Sequence, residues 1–191
     1  ITRNSEEKYD LAYLNILEDV YTILSDRKNL ILTKKMIFEI CPDYHNYKAV
    51  DEMLESNSDK SAFKKLALTK QIRPQTKDYI AVLSLKFGIW NDEEDYEKIL
   101  DKLDTPAAYD LAKPFMEKLY LFDKYLLLDK FFNHIIVSWY FSETEDDEKT
   151  LKTFIANHYT LKEIVNFENK QLYINFGAKE FIKQLKERYM H

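Results

Sequence analysis

The sequence predicts an all-α protein, a multi-helix bundle of eight to ten helices, and three observations carry that reading. Only two glycines and four prolines occur in 191 residues. That is too few for the tight turns of a sandwich or barrel, or for the glycine-bearing phosphate turns of doubly wound nucleotide folds, whereas long helices tolerate such a composition well. Hydrophobic residues make up 46% of the chain, enough to bury a sizeable core without disulfide or metal staples. Finally, capping and breaking residues recur between segments whose apolar positions are three and four apart. The length suits one helical domain over residues 1–191, with a subdomain boundary placed near residues 88–92. Charge balance changes there: residues 1–90 hold 14 basic and 13 acidic side chains, residues 91–191 hold 14 and 20.

Asn4 with Glu7 reads as a capping box opening a first helix to about Ser25, with Leu11, Leu14, Leu17, Tyr21 and Leu24 at helical spacing. After the polar turn Asp26–Asn29, a second helix runs from Leu32 to Cys41 and ends at Pro42. His45–Glu55 and Lys60–Ile72 follow. Thr76 is placed as the cap of a helix ending near Gly88, and Asn91 with Glu94 as the start of another. Thr105-Pro106 puts a cap directly before a proline at the first helical position, where its missing N–H costs nothing. Further on, a helix covers about Lys149–Asn157, and Thr160 with Glu163 forms a second capping box. Residues 171–176 alternate well enough for at most one short strand or hairpin. An amphipathic helix closes the chain after Gly177.

The most apolar stretch, residues 118–141, places Leu121, Tyr125, Leu128, Phe132, Ile135 and Trp139 on one seam, widened by Phe122, Leu127, Phe131 and Ile136. Its longest uncharged run is 12 residues, Phe131–Ser142, short of the roughly 18 that a membrane span needs. The segment reads as a core helix started by Pro114.

Chemistry has few places to reside. The histidines His45, His134, His158 and His191 form no HExxH or Glu-x-x-His pattern, and a lone Cys41 builds no thiolate zinc site, so no metal and no cofactor are expected. Cys41 and His45 are four residues apart across a proline turn, a spacing that does not by itself bring imidazole to thiol. The acidic clusters 92–95 and 143–148 lack EF-hand spacing and read as solvated helix starts. Neither GxGxxG nor GxxxxGK[ST] occurs. A ligand pocket beside His134 and Trp139 is the remaining small-molecule candidate, and the reading leans against an enzyme.

Two leads point to nucleic acid. Lys60, Lys64, Lys65, Lys70, Arg73 and Lys77 fall within 18 residues that contain no acidic side chain. Such a run can neutralise phosphates. Arg27, Lys28, Lys34 and Lys35 form a second group. Separately, residues 82–112 resemble the fourth region of bacterial sigma factors, in which an apolar helix ending near Phe87-Gly88 precedes a helix-turn-helix. That resemblance implies a base-reading helix, yet the segment in its place holds Pro106, Ala107, Ala108, Tyr109 and Asp110. These lack the donors of the major-groove code, so the pattern is a generic three-helix one and no family is claimed.

The sequence therefore predicts a non-enzymatic helical interaction or regulatory module that binds another macromolecule, expected to be a protein. The alternative is a nucleic-acid-binding regulator using residues 60–77. One cysteine, no Asn-x-Ser/Thr sequon and no signal-peptide pattern place it in a reducing, cytoplasmic setting. A start at Ile1 is compatible with a piece of a longer protein.

Overall fold

The computed structural model describes residues 3–73, 76, 78–139, 145–171 and 176–189, and for residues 3–9, 138, 139 and 145 the backbone alone. Among the described residues there are ten continuous helical runs and no strand, as an all-α bundle requires, and one of these runs, residues 106–139, holds three α-helices. The strand expected at 171–176 falls mostly on residues outside the described ones. The chain divides into two compact units, Ile1–Asp95 and Tyr96–His191.

In the first unit, α1 (Arg3–Ile23) and α2 (Arg27–Ile40) form a hairpin. Ser25, at φ 54°, makes the left-handed step out of α1, and Asp26 caps α2 by accepting from the Asn29 amide at 3.1 Å. Leu14 is buried against this hairpin and Leu11, Leu17 and Tyr21 are half-buried, but Leu24 lies outside the seam and is exposed. Asp43 caps α3 (Tyr44–Asp51) and Ser56 caps α4 (Asn57–Thr69), each through the amide three residues on. α5 (Tyr79–Asp92) is apolar nearly all round. Val82, Leu83, Leu85, Phe87, Ile89 and Trp90 are all buried, the mark of a helix enclosed on several sides. Rings fill the space it leaves: Phe63 stacks on Tyr47 at 5.5 Å and takes the edge of Phe38 at 5.1 Å.

Gly88 does not end a helix. It sits within α5, under the ring of Tyr44, where an added Cβ would come within 2.1 Å of a ring carbon. The glycine serves close approach of α3, and the Tyr44 hydroxyl then donates to Asp92 at 2.7 Å. Asn91 likewise lies inside α5, and the step between α5 and α6 is made by Glu94 at φ 58°.

The second unit comprises α6 (Tyr96–Asp101), α7 (Pro106–Ala112), α8 (Met116–Lys130), α9 (Ile136–Trp139), α10 (Glu145–His158), α11 (Leu161–Lys170) and α12 (Phe176–Tyr189). Thr105 accepts from the Ala108 amide with Pro106 at the first helical position, as expected. A 3₁₀ turn carrying Pro114 (Lys113–Phe115) leads into α8, and a π-helical turn (Phe131–Ile135) joins α8 to α9.

The single core helix expected over 118–141 is corrected here. Asp123 leaves helical geometry (φ −151°, ψ 90°), and its Oδ1 accepts from the amides of Tyr125 and Leu126 at 3.1 and 3.0 Å. It is an N-cap inside the run, so the residues before it are turned off the seam. Leu121, before the cap, is 80% exposed, and Tyr125, in the first turn after it, is 61% exposed as well. From Leu127 onward the seam is buried: Leu127, Leu128, Phe131, Phe132 and Ile135 are essentially inaccessible to water. Phe131 meets the edges of Tyr109 and Phe154, whereas the neighbouring Phe132 packs on Phe167 and Phe181. This turn is enclosed from both sides.

Truncating Phe131 or Phe132 to alanine is expected to cost about 3–5 kcal/mol in denaturant unfolding, against no more than about 0.5 kcal/mol for Leu121→Ala. Gly88→Ala is expected to cost about 1–3 kcal/mol by overpacking. In a Tyr44→Ala background the same change should become neutral or stabilising, by up to about 1 kcal/mol, since alanine is the better helix former. Equal effects in both backgrounds would show that the ring is not the obstacle.

Candidate protein-docking groove

Burying Ile37 and Phe38 on the inner side of α2 leaves Leu32 and Met36, four residues apart, on another side. α4 does the same: Phe63 and Ala67 face inward while Ala62 and Leu66 border the outer face. Between these helices runs a groove of about 560 Å³ with Phe63 as its floor and Leu32, Met36, Ala62 and Leu66 as its walls. Leu32 is 51% exposed, Met36 57% and Leu66 47%. Lys35, Glu39 and Asp59 stand at the rim. Glu39 is held by Lys70 at 2.6 Å, while the ammonium of Lys70 also lies 5.5 Å from the Phe38 ring centroid.

The basic segment folds among carboxylates. Lys64 pairs with Glu93 at 2.5 Å, and Lys60 and Lys64 share a shallow cavity of about 350 Å³ with Asp51, Asp92 and Glu93. Lys65 is exposed, and Arg73 turns its guanidinium onto the Gln71 side chain. Lys77 lies outside the described residues. Folding thus supplies negative neighbours that the run from Lys60 to Lys77 does not contain. Part of the acidic cluster 92–95 does precede α6, but it also closes α5, where Lys48 and Lys64 offset carboxylates placed at the negative end of the dipole.

His134 sits on the π-helical turn, partly exposed, with Nδ1 3.8 Å from Asp104, whose carboxylate also takes Lys130 at 2.6 Å. The Trp139 side chain lies outside the described residues, so the proposed pair is not placed. Cys41 closes α2, its carbonyl accepting from Asn46 Nδ2 at 3.0 Å. Among the described residues, no group of three His, Cys, Asp or Glu side chains converges to hold a metal, and no helix is long and apolar enough to cross a membrane.

A histidine to which the sequence gives no prominence has the most defined surroundings. His158 Nδ1 lies 2.8 Å from the Phe154 carbonyl and Nε2 lies 2.8 Å from Glu117, with the ring stacked on Phe154 and edged by Tyr120. It borders a cavity of about 580 Å³ lined also by Asp146, Lys149 and Thr153. General base catalysis needs a ring nitrogen turned to the substrate, and both nitrogens here are engaged by the protein. The arrangement ties the end of α10 to α8. Just beyond it, Thr160 and Glu163 form the expected capping box, and Glu163 also receives Lys124 from α8. The Lys124 ammonium, then the Thr160 amide, hold the Glu163 carboxyl down at about 2.

Because this carboxyl titrates lower folded than unfolded, its contribution is complete above its ordinary value near 4.5 and is lost as pH falls toward about 2. Wild type should therefore lose more thermal stability than Glu163→Gln across that window. Parallel curves for the two proteins would exclude the coupling.

Comparisons with protein families, with curated proteins and with solved structures return no match, and the functional reading rests on these side chains.

Proposed function

We propose that this chain is a non-enzymatic interaction module that seats an amphipathic helix of a partner protein in the groove between α2 and α4. The observation that carries the reading is the exposure of Leu32, Met36 and Leu66 around the buried Phe63. Apolar walls on two helices flanking a groove suit the helix-in-groove mode, in which residues at i, i+3, i+4 and i+7 fill the trough. A concentrated exposed apolar patch is a recognised sign of such use. The rim adds direction, since Lys35 on one side favours an acidic partner residue and Asp59 on the other a basic one.

The nucleic-acid reading is weaker on the same footing. A phosphate approaching residues 60–73 would have to displace Glu93 from Lys64 and Glu39 from Lys70, giving up pairs already formed.

Affinity capture with the full chain, compared with Met36→Glu and Leu66→Glu, tests the assignment. Both positions are exposed, so unfolding midpoints should stay at the wild-type value. A protein retained by wild type should bind either variant at least about ten-fold more weakly, a loss of roughly 1.4 kcal/mol, and should survive nuclease treatment. Retention that nuclease abolishes, and that disappears when Lys60, Lys64, Lys65 and Lys70 become glutamate, would replace this reading with the nucleic-acid one.

A further inference from the structure

α1 presents a second apolar surface, independent of the groove. Leu14 and the Glu18–Lys34 ion pair fasten one side of the helix to α2. Tyr13, Ile16, Val20, Ile23 and Leu24 recur at three- and four-residue steps on another side, within an arc of about 100° at the helical repeat. Their exposure runs from 39% at Val20 to 81% at Ile23, far above what a packed helix face leaves to water. Five large apolar side chains in line over three turns form a continuous strip.

The charges beside that strip identify what it fits. Residues 10–24 contain Asp10, Glu18 and Asp19 and no lysine, arginine or histidine. Glu18 is engaged by Lys34, leaving Asp10 and Asp19 exposed and without an ion pair among the described residues. A second copy of α1 would bring like charges together along the contact. A membrane surface is disfavoured for the same reason, because interfacial helices carry lysine and arginine beside their apolar face to meet anionic lipid. From this geometry we infer that the outward face of α1 docks an amphipathic helix of a partner protein whose apolar stripe is flanked by lysine or arginine.

Two synthetic amphipathic helices with the same leucine stripe, one flanked by lysines and one by glutamates, provide the probe. Each is titrated into the full chain by fluorescence anisotropy. The lysine-flanked helix should bind at least about ten-fold more tightly than the glutamate-flanked one. Ile16→Gln combined with Val20→Gln, both at exposed positions, should weaken it about ten-fold with the unfolding midpoint unchanged. Asp10→Lys with Asp19→Lys should invert the preference, whereas Leu66→Glu, which disables the α2–α4 groove, should leave it intact. Equal binding of the two helices, or insensitivity to the Ile16 and Val20 changes, would overturn the inference. So would concentration-dependent dimerisation, or binding to anionic vesicles, that the same two changes abolish.

Discussion

Two consecutive residues on a helix point about 100° apart, so Phe131 and Phe132 cannot both be shielded by a single neighbour. The second unit is arranged around that constraint. α7 and α10 close over Phe131 while α11 and α12 close over Phe132, and the π-helical turn lies where those layers meet. Each ring buries a large area, and together they bring four helices to one place. α5 has the corresponding position in the first unit. There the requirement is a gap, since Gly88 lets the ring of Tyr44 reach the backbone and bring α3 onto the helix.

Helices enclosed in this way leave the outer ones half-covered. α1, α2 and α4 each meet the unit along one side, yet their sequences are apolar on more than one. That surplus is the physical basis for assigning interaction surfaces to the first unit. Leu32, Met36 and Leu66 are left about half exposed, and they keep an apolar area in water that folding leaves unused.

The titratable groups tell a complementary story. Lys64 and Lys70, clustered in sequence, meet carboxylates from outside their own helix, Glu93 and Glu39, and Lys124 likewise meets Glu163. Partly exposed pairs such as Lys64–Glu93 and Lys70–Glu39 contribute little stability individually, but they engage two of the cations a phosphate would otherwise meet. His158 follows the same pattern, with both ring nitrogens spent on protein acceptors. These groups fasten helix ends to their neighbours.

Local rules were legible along the chain. Scarce glycine and proline, the Thr105-Pro106 start and the Thr160–Glu163 box concern residues within one turn of each other, where spacing alone dictates which amide meets which side chain. The cap at Asp123 follows the same rule, but it is hidden within an apolar run whose spacing also satisfies a continuous helix. What the tertiary structure alone decided is which apolar face of α1, α2 and α4 turns inward, that Gly88 is a contact and not a stop, and that Lys64, Lys70 and Lys124 meet Glu93, Glu39 and Glu163. Those outcomes depend on partners tens of residues away, and periodicity within a helix is the same whichever face is buried.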